Sequence, residues 1–390
     1  MQNVTADKDG NFARAPRAAV TEPAAECVNV LCVITRGLNG PGGIDRLFSY
    51  LAMKQSYVNA DRIKVRFFTS RGNTAGSTWL ILFPLRVLLY LYHLLFLPVD
   101  IVHLNLSINA SAYRKYILLM LARALGKKVI VHFHGGGFEH MLRDRSLSVR
   151  VILSIFRKAD HLIVLGEFWR QLLGDAAGLA PDTIHVIYNA VPDFGSASNL
   201  VRPNTTRLRL LFAGELHYRK GVDVLLEALA ALNRRYQDWT CIIAGNGPKT
   251  HYQSTAEQLG IAQQASFVGW LSSEHLHRLM LESDVVVLPS RGEGLPLCLV
   301  EAAAAGAALV ATDEGATREV LHDGVNGLIV PLDPNAICDA LCQLAENSNL
   351  LASMQTASRA HYVRQFGLDR MIADLHSVYL RAAANAVIRA

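Results

Sequence analysis

From Val28 onward the chain repeats one pattern, a short β-branched run followed by an amphipathic run. The spacing predicts strands at 29–35, 64–69, 100–104, 128–133, 161–165 and 184–187, with helices at 44–55, 79–97, 111–125 and 147–158 between them. Neighbouring strands joined through a helix run parallel, so the pattern demands a parallel sheet covered by helices. A stretch at 192–204, rich in Ser, Asn and Pro, then separates a second series of the same kind. That series has strands at 208–212, 240–244, 266–268, 284–288, 308–311 and 327–330, and helices at 222–235, 251–259, 273–281 and 297–305. A chain of 390 residues also exceeds what one core readily fills. The expected fold class is α/β, two doubly wound Rossmann-like domains facing each other across a cleft. Their expected bounds are 27–198 and 199–365, preceded by a disordered tail at 1–26 and followed by a helix at 366–390 that packs back on the first domain.

Charge is divided unevenly between the halves. Residues 1–198 hold 22 Lys and Arg against 14 Asp and Glu, and residues 199–390 hold 16 against 19. A basic first half suits an anionic partner such as a membrane surface or a phosphate-bearing substrate. Nucleic acid is disfavoured because no aromatic–basic interleaving motif is present. The six cysteines are too dispersed for a disulfide framework or a paired zinc motif, and nothing in residues 1–26 reads as a secretory leader. Both point to a cytoplasmic protein. The apolar run at 79–97 has bilayer-spanning length, yet Arg86 sits near its middle. A buried or interface-lying helix that turns Arg86 to solvent is the expectation.

Ligands of open parallel sheets sit beyond the carboxyl ends of the strands. The first such loop, Gly37-Leu-Asn-Gly40-Pro-Gly42-Gly43, leads into a helix and suits a phosphate. It is not a dinucleotide fingerprint, since Asp45 stands where a small residue is needed and no acid ends the next strand. Nor is it a P-loop, because Gly43-Ile44 replaces the Lys-Ser/Thr. Dehydrogenase and nucleoside triphosphatase are thereby disfavoured. His134 lies at the mouth of the strand Val131-His132-Phe133 and reads as an active-site polar group, with His132 and His103 as packing residues. In the second half, Arg219 and Lys220 precede Gly221 and a helix, so both cations flank a helix N-terminus that favours an anion.

The richest segment runs from Ser290 to Glu301. Pro296 fixes the start of a helix, which leaves Glu293 in the loop and Glu301 inside an otherwise apolar helix. A carboxylate placed there needs hydrogen-bond donors, and ribose hydroxyls would serve. The only Asp-x-Asp is Asp7-Lys8-Asp9 in the tail, so no carboxylate pair offers itself to a nucleotide-bound metal. No divalent metal and no other cofactor is expected; phosphate charge falls to Lys, Arg and helix dipoles.

With Glu293-x7-Glu301, Ala302-Ala-Ala-Ala-Gly306 and the stretch from Gly315 through Glu319 to Pro331, the sequence resembles the retaining, nucleotide-sugar-dependent glycosyltransferases of family 4, which have the GT-B fold. Gly42-Gly43, His134, Tyr188-Asn189-Ala190-Val191 and Lys220-Gly221 extend the resemblance over most of the chain. It implies a nucleoside-diphosphate sugar donor and a glycan acceptor, in the reading of the basic half a lipid-linked one, reached from the cytoplasmic face of an anionic membrane. It further implies that His134, Lys220 and Glu293 act at the reacting sugar. The donor would be held by Gly42, Gly43, Arg219, Lys220, Gly294, Leu295, Pro296, Leu297 and Glu301, and Asn189 would lie on the acceptor side. One departure stands out: the family commonly has Gly-Arg before the lysine loop, and here it is Gly214-Glu215. The competing readings are a nonhydrolysing sugar-nucleotide epimerase and a catalytically inactive sugar-nucleotide-binding module.

Overall fold

The computed structural model describes residues 27–387 apart from 39, 41, 73–77, 109, 145 and 196–206. The expected tail and most of the expected hinge therefore lie outside the described residues. The first half runs β1 (Val28–Ile34), α1 (Gly43–Ala52), α2 (Gln55–Val58), β2 (Asn59–Ala60), β3 (Ile63–Thr69), α3 (Thr78–Phe96), β4 (Ile101–Leu106), α4 (Ala110–Ala124) and β5 (Lys128–Phe133). It continues with α5 (Phe138–Met141), α6 (Leu147–Lys158), β6 (His161–Val164), α7 (Glu167–Ala177) and β7 (Ile184–Val186). Its sheet has the order β2-β3-β1-β4-β5-β6-β7, parallel except for the short β2. The second half runs β8 (Leu208–Ala213), α8 (Val222–Arg235), β9 (Trp239–Ala244), α9 (Lys249–Gln258), β10 (Ala265–Gly269), α10 (Ser273–Glu282), β11 (Val285–Leu288), α11 (Leu297–Ala305), β12 (Ala308–Thr312), α12 (Thr317–Val320) and β13 (Gly327–Val330). Its parallel sheet has the order β10-β9-β8-β11-β12-β13, and α13 (Pro334–Glu346), α14 (Ser348–Gln365) and α15 (Leu368–Val387) close the chain.

Central strands read as continuous apolar runs because helices cover both faces of each sheet. All of β4, for instance, is buried, including its polar residues His103 and Asn105. The last helix crosses back to the first domain. There the Tyr379 hydroxyl lies 2.7 Å from His103 Nδ1 and 3.0 Å from the Tyr57 hydroxyl, with all three side chains buried.

Besides the short α2, β2, α5 and α12, which the sequence pattern did not contain, two elements depart from that pattern in ways that matter. Helix α7 was not anticipated: its N-cap is Gly166, which has no side chain to cap with. The cap comes instead from Glu319, whose carboxylate accepts from Glu167 N at 2.8 Å. Helix α3 is turned opposite to expectation. Ile81, Leu85, Leu88, Leu95 and Phe96 stand 80, 55, 63, 57 and 71% exposed. Arg86 instead faces the protein, its guanidinium 3.5 Å from the Thr69 carbonyl. Tyr113, Ile117 and Met120 of α4 extend this exposed apolar face. The Tyr113 hydroxyl then reaches Ser148 of α6 at 3.0 Å, where Leu147, Arg150 and Arg157 are also exposed.

Candidate functional site

On the first domain the site begins at the mouth of β5. His134 is half-buried, and its Nε2 lies 2.9 Å from Asn105 Oδ1. The Asn105 amide nitrogen is already directed at the Val33 carbonyl, 3.3 Å away, and at Cys32 Sγ, so Nε2 of His134 carries the proton and Nδ1 a lone pair. Burial, reinforced by the nearby His103 and Lys115, lowers His134 to about 3. The ring is thus neutral, suited to accept a hydroxyl. His132 and His103 are fully buried behind it, with ring centroids 4.1 Å from His134 to His132 and 5.4 Å from His132 to His103.

On the second domain the cations come from a 3-10 turn, Tyr218–Lys220, just ahead of α8. Gly221 follows at φ +68°, and a side chain there would run into the Pro289 carbonyl. Lys220 Nζ lies 2.6 Å from Glu293 Oε1, with side-chain exposures of 14 and 8%. Ser290 donates to the same carboxylate oxygen. Arg219 does not stand beside Lys220 as a second free cation: its guanidinium donates to the Gly292 carbonyl at 2.7 Å. Arg291 in turn stacks on Tyr218 and forms a two-pronged pair with Asp223 at 2.8 and 2.9 Å. These bonds fix the 219–221 turn against the 290–293 loop.

The segment Glu293–Leu297 is held between the domains by backbone contacts. Trp169 Nε1 donates to the Gly294 carbonyl at 2.8 Å, and a Cβ on Gly136 would sit 2.6 Å from Glu293 C and Gly294 N. Only glycine allows the first domain's loop to approach so closely. Asn189, expected to face the acceptor, is buried and donates its amide to the Leu295 carbonyl at 3.1 Å. Pro296 is the N-cap of α11, and the first N–H groups of that helix, beginning with Leu297, lack intrahelical acceptors. Gly42 caps α1 in the same way on the facing domain, with Gly43 as its first residue. The two helix starts and Lys220 supply the positive ends that a diphosphate requires.

Glu301 is completely buried and is already met by protein donors. Tyr50 donates to it at 3.0 Å, Arg46 approaches both oxygens at 3.4 Å, and His277 Nε2 lies 3.6 Å away. Burial works to raise its pKa, but the donors from His277, Arg46 and Tyr50 outweigh this and hold it below the ordinary carboxylate range. Arg46 and Tyr50 belong to α1 of the other domain, so the contact spans the cleft. Phe194 stacks on His277 at 3.8 Å and 8°. None of the three partners of Glu301 carried a local sequence signal. Glu139 and His140 of the first domain and Glu314 of the second bring potential ligand atoms within 4.8 Å of one another.

Two parallel sheets whose strand mouths face one cleft, with a neutral histidine on one side and a lysine, a carboxylate and a helix start on the other, define a two-domain group-transfer enzyme of the GT-B kind. The profile described as "Glycosyltransferase Family 4" matches residues 40–193, and "Glycosyl transferases group 1" matches residues 207–347. The chain is 31% identical over 301 residues to a phosphatidyl-myo-inositol mannosyltransferase of Mycobacterium tuberculosis, covering 73% of this chain and 75% of that one. It is 27% identical over 290 residues to an alpha-D-kanosaminyltransferase of Streptomyces kanamyceticus, covering 70 and 74%. Among solved structures, sucrose-phosphate synthase from Thermosynechococcus elongatus superposes with a TM-score of 0.74 at 16% identity, over 92% of this chain and 100% of that one. Anabaena HepE in complex with UDP and glucose gives 0.70 at 18% identity, over 90 and 99%. The chain belongs to glycosyltransferase family 4 and is a glycosyltransferase.

Proposed function

We propose that the protein transfers a sugar, with retention of anomeric configuration and without a divalent metal, from a nucleoside-diphosphate donor to a lipid-linked acceptor at an anionic membrane surface. The observation that carries this reading is the placement of Lys220. It is nearly buried, paired to Glu293 at 2.6 Å, and next to the unsatisfied start of α11. A diphosphate entering there exchanges one carboxylate partner for a more highly charged one. Leaving-group charge is then met by Lys220 and the helix N-termini, while Glu293 is released toward the sugar hydroxyls. Glu301 would take the ribose once Tyr50 and Arg46 draw back with the first domain.

Neither Glu293 nor Glu301 is placed as a free nucleophile, one being tied to Lys220 and Ser290 and the other to Tyr50 and Arg46. Same-face attack, in which the departing diphosphate helps to take the acceptor proton, accounts for retention without a covalent intermediate. The membrane part of the reading rests on α3. Among the described residues one helix is long and apolar enough to cross a bilayer, yet its only charge, Arg86, faces the protein and most of its leucines face outward. That geometry suits a helix lying in the interface. The names of the mannosyltransferase relatives, which specify a phosphatidyl-inositol acceptor, agree with a lipid one. Proton NMR of the product is the test: an anomeric coupling matching the donor's, with undiminished turnover in chelator, is expected. Inversion, or activity restored only by magnesium or manganese, would overturn the mechanism.

A further inference from the structure

Beyond the ends of β1 and β3, on the cleft side of the first domain, four cations gather with little to balance them. Arg114 is 5% exposed and Lys115 fully buried. Lys115 Nζ is held by the Val33 carbonyl at 3.2 Å and the Ser70 hydroxyl at 3.1 Å. The Arg114 guanidinium lies 4.7 Å over the Trp79 ring of α3, and Arg71 is its electrostatic neighbour. The Nε atoms of both Arg71 and Arg114 are buried and, among the described residues, have no hydrogen-bond partner. Arg86 enters from α3, its guanidinium 3.1 Å from where a side chain on Gly72 would begin. Among the described residues, the one carboxylate facing the group is Asp45, which acts on Lys115 and whose Oδ1 accepts from Arg36 N at 3.2 Å.

Collecting desolvated cations is costly unless something pairs them. Burial and mutual repulsion push Arg114 down to about 10 and Lys115 down to about 7. The cluster has two neighbours that give its purpose. Trp79 and Arg86 belong to the helix whose opposite side is the exposed apolar face. On the other side, the Val33 carbonyl that holds Lys115 also accepts from Asn105, and Asn105 holds His134. A group bound by these cations therefore lies between the membrane-facing helix and the histidine of the reacting centre.

We infer that Arg71, Arg86 and Arg114 receive the phosphate group of an anionic lipid-linked acceptor, placing its headgroup beside His134 while its chains enter the layer that α3 contacts. Guanidinium forks suit phosphate oxygens, and Trp79 beneath Arg114 fixes the plane of the fork. This inference deepens the lipid-acceptor reading above and rests on it.

The test uses the full chain and its variants Arg71→Gln and Arg114→Gln, with Arg234→Gln, exposed on α8 of the other domain, as a control of equal charge change. Binding is measured by calorimetry to glycerol 3-phosphate, and by flotation to phosphatidylcholine vesicles containing phosphatidic acid. Arg71→Gln and Arg114→Gln should each weaken phosphatidic-acid vesicle binding by about ten- to a hundredfold, as expected for a lost charge-assisted bond, and Arg234→Gln by far less. The melting temperature of Arg114→Gln should hold or rise, because an unpaired buried cation is removed; a clear fall in both variants would mark the cluster as structural and overturn the proposal. Equal effects of all three substitutions on flotation would overturn it too. Glycerol 3-phosphate binding lost in the variants with vesicle binding unchanged would assign the site to a free phosphate and overturn the lipid assignment. Nucleoside-diphosphate binding, measured in parallel, should be the same in every variant. Its absence from the wild type would defeat the donor reading without touching the phosphate result.

Discussion

The Lys220–Glu293 pair offers a perturbation whose two halves separate a structural ion pair from a ligand-exchange site. Both side chains are more than four-fifths buried and 2.6 Å apart. Replacing either one strands the other, which for a buried pair costs about 3–5 kcal/mol of stability. Lys220→Met and Glu293→Gln should therefore both lower the unfolding midpoint in urea. Their effects on nucleoside-diphosphate affinity should have opposite signs. Removing the lysine deletes a charge-assisted bond to the phosphates, about 1.5–3 kcal/mol, and weakens binding about ten- to a hundredfold. Neutralising Glu293 removes the competitor that the diphosphate must displace, so affinity should hold or tighten even as turnover falls. Calorimetry with UDP, GDP and ADP against all three proteins gives the answer. Affinities that move together, or a Lys220→Met protein that binds as tightly as the wild type, would show the pair to be only structural.

Further outcomes follow from other parts of the molecule. Exchanging Leu85 and Leu88 for Ser removes two of the outward side chains of α3, each contributing about 1.5–3 kcal/mol when buried in an apolar phase; flotation on anionic vesicles should drop sharply, and unchanged flotation would show that α3 is not the contact. Acid should unfold the first domain early. His103 is held down to about 3 and His132 well below its ordinary value, both by burial. The unfolded chain takes up those protons first, so stability is lost as pH falls below about 6.5, by about 2 kcal/mol for each group at about pH 5; a flat urea midpoint between those two pH values would contradict the neutral core. Glu319→Gln should weaken the cap of α7 by about 0.5–2 kcal/mol and loosen the domain contact it bridges, raising hydrogen exchange at Glu167 and Phe168; protection equal to the wild type would refute the cap.

Local chemistry made much of this architecture readable from the sequence. Strand β5 and helices α6, α8 and α11 fall at the positions expected, because each has its period and its boundary residues within its own span: Ser146 caps α6, and Pro296 begins α11 while Gly306 ends it. Helix α7 escaped notice because its cap is supplied by Glu319, a residue 152 positions away. Periodicity placed α3 but could not orient it, since a helix that is apolar nearly all round does not reveal whether its partner is protein or lipid. At the site, Glu293, Lys220 and His134 were legible from strand-exit loops. The partners of Glu301 were not, because Arg46, Tyr50 and His277 reach it from two other helices, one of them across the cleft.

Transfer of label from a nucleotide sugar into lipid tests the central claim most directly. Purified protein is incubated in chelator with a panel of radiolabelled nucleoside-diphosphate sugars and vesicles of an anionic bacterial lipid extract, and the organic phase is counted. One donor should label a lipid product with the wild type, and Lys220→Met should reduce that rate by about tenfold or more. Donor consumed with no label entering lipid, or equal rates for wild type and Lys220→Met, would contradict the account.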